Sequence, residues 1–168
     1  DEEVARSAIG LFSWVGITYS IKFFWAPVVD RIGLPGLTRM LGQRRSWMVV
    51  AQFGIALGLL GMSFANPATN LTSIALFALL VAFSSATQDI TIDAYRIEAT
   101  SLRRQAAMAA SYILGYRVAL LVAGAGAFYL AEYYSWSLAY VVMASLMGIG
   151  LVAALTIREP EHEVKSGD

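Results

Sequence analysis

The chain of 168 residues is 58% hydrophobic and 14% charged, with a mean hydropathy of +0.62; globular domains run nearer about 45–50% and about 25%, so the composition points to a membrane protein. Twelve Lys plus Arg balance twelve Asp plus Glu, which leaves no global field for a nucleic-acid partner. Cysteine is absent, which excludes disulfides, thiolate metal sites and a cysteine nucleophile, and the lone His162 gives no basis for a metal site or a bound cofactor.

The chain opens on Asp1, lacks a basic segment followed by a cleavage site, and reaches its first apolar run within about ten residues, which reads as a fragment. Taking about 20 apolar residues per crossing, the sequence predicts five transmembrane helices, at 7–29, 46–65, 71–97, 106–131 and 136–157. The expected fold class is all-α, a polytopic membrane helix bundle over residues 1–158, followed by a cytoplasmic linker or tail at 159–168. Arg31, Arg39, Arg44 and Arg45 sit in the link after the first span, Arg103 and Arg104 in the link after the third, and Arg158 and Lys165 beyond the fifth. The links 66–70 and 132–135 contain no Lys or Arg. This alternation places the basic links in the cytoplasm, so the first span runs from outside to inside. Gly54, Gly58 and Gly61 in the second span, and Gly115, Gly124, Gly126, Gly148 and Gly150 in the last two, are expected to let helix backbones approach closely.

The third span ends in Gln88, Asp89, Asp93 and Arg96. At i, i+4 and i+7, Asp89, Asp93 and Arg96 share one helix face. Ionisable groups in a span are costly and mark ion or substrate paths. Two carboxylates a turn apart repel when both are ionised, so the pair is a candidate proton carrier with its counter-charge beside it. The competing reading is a salt bridge of Asp93 with Arg96 that only stabilises the helix end. Lys22 lies about 10 Å from the cytoplasmic end of its helix at 1.5 Å per residue, a depth like that of Asp89, so the two can pair. Snorkelling of the lysine stem is the alternative. Arg117 lies about 17 Å into its span, where snorkelling is strained. It is expected to face the bundle interior and hold a carboxylate of the protein or of an anionic substrate.

The link Asp30-Arg31-Ile32-Gly33 through Gly42-Gln43-Arg44-Arg45 reads by composition as a solvated, topology-setting charge run. It also resembles the loop between the second and third helices of major facilitator transporters, and that resemblance implies a conformational latch containing Asp30, Arg31, Gly33, Arg44 and Arg45. Three strings extend the likeness: Tyr19-Ser20-Ile21-Lys22-Phe23-Phe24-Trp25-Ala26-Pro27, Gln88-Asp89-Ile90-Thr91-Ile92-Asp93-Ala94-Tyr95-Arg96, and Leu114-Gly115-Tyr116-Arg117. Together they are similar to the AmpG-type muropeptide permeases over residues 10–160. The related acetyl-CoA transporters carry a looser version of the second string. The resemblance implies helices two to six of a twelve- to fourteen-helix carrier whose first helix and C-terminal half are the missing partners. It also implies the substrate, a muropeptide (a sugar–peptide fragment of the cell wall), imported with protons across the bacterial inner membrane. The helix-four arginine motif and the helix-five Gly-Pro motif of the wider superfamily are absent, so a general antiport mechanism does not carry over. Inverted three-helix repeats map the Lys22 helix onto the Arg117 helix. Tyr19 and Tyr116 stand near the two basic residues in a short echo, and they join Gln88 and Arg96 as supporting residues.

Two other readings compete. One is a carrier of another anionic solute, such as acetyl-CoA. The other is an intramembrane enzyme in which Asp89 and Asp93 hold a divalent cation for phosphoryl transfer. That chemistry needs more converging carboxylates, and the Asp-Gly … Ala-Arg part of the alcohol-phosphotransferase signature is missing, so transport rather than catalysis is expected.

Overall fold

The computed structural model describes residues 22–66 and 70–160, and all regular structure among them is helical. In chain order these are α1 (Lys22–Arg31), α2 (Leu37–Leu41), α3 (Gln43–Phe64), α4 (Leu71–Glu98), a 3-10 turn (Leu102–Arg104), α5 (Gln105–Leu121), a π-helical turn (Val122–Gly126), α6 (Ala127–Tyr133) and α7 (Trp136–Thr156). Among the described residues four continuous stretches are long and apolar enough to cross a membrane: Gln43–Phe64, Leu71–Glu98, Leu102–Tyr133 and Trp136–Thr156. They match the second to fifth expected spans to within a few residues. The expected first span lies mostly outside the described residues, and α1 is its final part.

In lipid, helices associate through close packing rather than a hydrophobic drive, and α3 achieves this with glycine. Gly54, Gly58 and Gly61 fall on one face of α3 and lie against Ser84, Val81 and Phe77 of α4. A Cβ on Gly58 would stand 2.5 Å from Val81 Cγ2 and 3.1 Å from the Phe77 carbonyl oxygen. On another side of α3, Gly150 of α7 lies against Gln52, whose Nε2 would be 3.0 Å from an added Cβ. Met48 and Val49 bury with Ala154 of α7 there. At the far end the Ser137 hydroxyl donates to the Ser63 carbonyl at 2.6 Å. Thus α3, α4 and α7 form the tightly packed unit.

Helix α1 is tied to that unit by aromatic packing. Trp25 meets Trp47 edge-on at 6.2 Å and Phe83 at 5.1 Å between ring centroids. Its indole N–H donates to Thr87 Oγ1 at 3.1 Å, so the one polar atom of the ring is satisfied inside the bundle. Between α1 and α3 the chain turns through Gly42, whose φ of 90° favours glycine; a side chain at Gly42 would also run into Glu159. The α5–α6 span is the loosest part: α5 touches α4 lightly, has no buried residue, and α6 rests on α7.

The glycine seam predicts an asymmetric response to substitution. Gly58→Val should force α3 from α4 and cost about 1–3 kcal/mol, as overpacking does, seen as a lower melting temperature of the detergent-extracted protein. Gly148→Ala, where an added Cβ meets nothing within 4 Å, should leave the melting temperature unchanged or raise it.

Candidate functional site

Measured from Leu71, α4 reaches Asp89 after about 27 Å at 1.5 Å per residue, close to the roughly 30 Å thickness of a hydrocarbon core. The polar residues that follow therefore extend toward one end of the bundle. Asp89 turns to α1: its Oδ2 lies 3.6 Å from Lys22 Nζ. Asp93 turns to its own helix, with Oδ1 3.6 Å from Arg96 Nη2. Arg96 in turn places its guanidinium 4.9 Å from the centre of the Tyr112 ring on α5, within the range of a cation–π contact.

The neighbouring Gln88 points elsewhere. It lines a cavity of about 770 Å³ between α3, α4, α5–α6 and α7, together with Leu59, Gly115, Val122, Trp136 and Tyr140. Its Oε1 is buried there without a hydrogen-bond partner. Adjacent helical residues diverge by about 100°, so Gln88 and Asp89 serve different sides of α4. The structure thus separates Gln88 from the carboxylate that it follows in sequence.

Arg117 is exposed, and no ion pair joins it to a carboxylate among the described residues. Tyr116 next to it is 55% exposed and stacks on Tyr112 with centroids 6.5 Å apart. Tyr19 lies outside the described residues. Among the described residues no group of three or more His, Cys, Asp or Glu converges as a metal would require, and Asp89 and Asp93 each face a cation.

A second polar cluster lies at the end of the bundle where α1 and α4 finish and α3 begins. Arg44 is 5% exposed. Its Nη1 donates to Asp30 Oδ1 at 2.6 Å, while Nη2 and Nε donate to the two oxygens of Glu98 at 2.5 and 3.0 Å. That is the bidentate fork for which guanidinium is suited. The backbone N–H groups of Arg44 and Arg45 donate to the Glu159 carboxylate at 2.7 and 3.1 Å, so an anion from beyond α7 caps the α3 N-terminus. Arg45 reciprocates, donating from Nε and Nη2 to the carbonyls of Ala154 and Leu155 at 3.0 and 2.5 Å. Gln43 Nε2 donates to the carbonyls of Val29 and Asp30 at 3.1 and 2.6 Å, and the Tyr95 hydroxyl donates to the Arg158 carbonyl at 3.0 Å.

Of the residues expected in the loop, Asp30, Arg44 and Arg45 join this cluster. Arg31 is exposed and has no ion pair among the described residues, and Gly33 lies against Thr38. Glu98, Glu159 and Tyr112 are additions that sequence reasoning did not single out. For Glu98 a signal was present, since it closes the Asp93 to Arg96 string, one turn from the basic link.

The Major Facilitator Superfamily model matches residues 2–168. A protein named AmpG 4 in Rickettsia conorii is 37% identical over 157 residues, covering 92% of this chain and 38% of that protein. The anhydromuropeptide permease of Escherichia coli K12 is 36% identical over 164 residues, covering 97% of this chain and 33% of the permease. A Haemophilus influenzae protein is 36% identical over 166 residues, 98% of this chain and 38% of its own length. The chain therefore spans less than two-fifths of the length of these relatives. Its membrane-length helices and the match along nearly its whole length make it part of a multi-pass membrane protein, and the chain belongs to the Major Facilitator Superfamily.

Proposed function

We propose that the chain forms part of a proton-coupled permease that imports muropeptides across the bacterial inner membrane, with Lys22 and Asp89 at the coupling site. Family membership and relatives named as permease and AmpG point to transport and away from enzymatic catalysis. The substrate class follows the name of the Escherichia coli relative. The observation that carries the coupling assignment is the 3.6 Å contact between Lys22 and Asp89, because it joins two different helices. A proton arriving on Asp89 removes the charge that holds Lys22. The ammonium is then free to meet an anionic group of the substrate, and α1 loses one of its attachments to α4. Neutralising Asp93 would release only Arg96, three residues along the same helix, and would open no helix–helix contact. Arg117, exposed and unpaired with any described carboxylate, is available to a second anionic group.

In the same reading the Arg44 cluster is the latch on the cytoplasmic side. Asp30 is its movable member: its side chain is 46% exposed and accepts from a single guanidinium nitrogen, whereas Glu98 is 27% exposed and accepts from two.

The coupling test is paired measurement of pH-driven uptake and substrate counterflow in proteoliposomes containing the complete carrier, normalised to inserted protein. Asp89→Asn should abolish proton-driven accumulation while counterflow persists, and Asp93→Asn should spare accumulation. Full accumulation by Asp89→Asn would remove Asp89 from the coupling site.

The latch predicts a different split. Glu98→Ala should destabilise the protein by about 3 kcal/mol, the lower end of the range for breaking a buried ion pair, visible as loss of folded protein in the membrane. Asp30→Asn should leave the melting temperature nearly unchanged and alter the transport rate. Equal effects of the two on stability would contradict the assigned roles.

A further inference from the structure

We propose that Tyr112 and Tyr116 of α5 form a stacking shelf for the apolar face of a pyranose ring, beside the Asp93–Arg96 pair. The inference rests on the muropeptide reading and assigns the part of the site that takes the sugar.

Tyr112 and Tyr116 are one helical turn apart and therefore share a face; their rings are 21° from parallel with centroids at 6.5 Å. The direction of that face is fixed by Arg96, which lies over Tyr112 at 4.9 Å, so the shelf continues the charged edge of α4. A short connection joins α4 to α5, so the two helices run in opposite directions. One turn from Tyr112 to Tyr116 therefore keeps pace with one turn from Arg96 back to Asp93.

Lipid is a poor neighbour for this face. Tyr116 lies about 16 Å from the start of α5, well inside the span, and is 55% exposed. Its hydroxyl has no hydrogen-bond partner among the described residues. An unpaired hydroxyl in hydrocarbon is costly, and tyrosines that meet lipid collect at the interfaces where the phenol stays wet. The adjoining Asp93 and Arg96 side chains are themselves 44% and 29% exposed. A face that presents aromatic rings, a phenol, a carboxylate and a guanidinium together suits a solvated ligand with both an apolar face and many polar edges. A pyranose ring has that character: its C–H face covers an aromatic ring while its hydroxyl and acetamido groups bond outward. Arg96 makes one contact with Asp93 and has five N–H donors, leaving donors for a carbonyl or carboxylate of the ligand.

The test uses the complete carrier in proteoliposomes and three probes: a disaccharide–peptide, the matching sugar-free peptide, and the disaccharide alone as competitor. Tyr116→Ala should raise KM for the disaccharide–peptide about tenfold, the scale of one aromatic stacking contact, with kcat nearly unchanged. It should also abolish competition by the free disaccharide, while Tyr116→Phe keeps both near the parent. Tyr116→Leu, which retains bulk without a ring, should behave as alanine does and serves if the alanine protein inserts poorly. Tyr116→Trp should report the disaccharide by a change in fluorescence that the sugar-free peptide does not produce. If the parent transports the disaccharide–peptide but the leucine and alanine proteins keep its KM at normal insertion, the shelf is overturned and the transport reading stands. If the parent takes up no disaccharide–peptide, the transport reading fails and the shelf falls with it.

Discussion

Burial of the Arg44 guanidinium sets the geometry of one whole end of the molecule. Removing such an ion from water costs several kcal/mol unless partners replace the lost hydration. Arg44 meets that demand with Asp30 from the end of α1 and the forked contact to Glu98 from the end of α4. Those two helix ends are therefore held beside the first turn of α3. A lysine could not satisfy three such acceptors in fixed directions. The same turn exposes backbone N–H groups, and Glu159 takes two of them, while Arg45 covers carbonyls at the end of α7. The start of α3 and the end of α7 thus cap each other, with each charge placed where the helix dipole favours it.

Away from that end, helix association depends on shape. The three glycines of α3 admit side chains of α4 to its backbone, giving dispersion contacts that lipid cannot match over so short a distance. The α5–α6 span has no comparable seam. Its glycines at 115 and 124 face open space, and its middle turn is π-helical. A π turn interrupts the regular hydrogen-bond ladder and often accompanies function. Here it lines the large cavity through Val122 and Ala123. The chain thus combines a close-packed unit with one lightly attached span, a division suited to a protein whose proposed task requires helices to move against each other.

The helices were legible because about 20 apolar residues are hard to disguise, and the basic links marked which ends lie together. The Lys22–Asp89 contact was also legible, since helical rise gives depth and the two residues lie at similar depths. Depth does not give azimuth, however. Arg117 is as deep as the sequence indicates, yet depth could not place a carboxylate opposite it, and Gln88 looked like a companion of Asp89 until the turn of the helix aimed it about 100° away. The roles of Glu98 and Glu159 were not legible for a related reason. A carboxylate that completes a fork or caps a distant helix is identified by what folding brings to it, and in the sequence Glu159 is simply part of a polar tail.

On the proposed reading, α1 links the proton site to the latch. Lys22 and Asp30 stand about 12 Å apart along it at 1.5 Å per residue, with Trp25 between them hydrogen-bonded to Thr87. Helix α1 is held against α3 and α4 by an ion pair at 3.6 Å, an aromatic anchor, the Asp30 carboxylate on Arg44 and the Gln43 amide on the Val29 and Asp30 carbonyls. The anchor carries no charge, so protonation does not affect it and it remains as a fulcrum. Neutralising Asp89 loosens α1 at Lys22, and because successive turns of a helix are hydrogen-bonded to one another, displacement there bears on Asp30 about two turns along. The Asp30 carboxylate, half-exposed and bonded to one guanidinium nitrogen, is the ion-pair contact of the latch least able to resist. Glu98, fixed to Arg44 through two nitrogens, stays with the packed unit, so the latch divides between the helix that moves and the scaffold that does not.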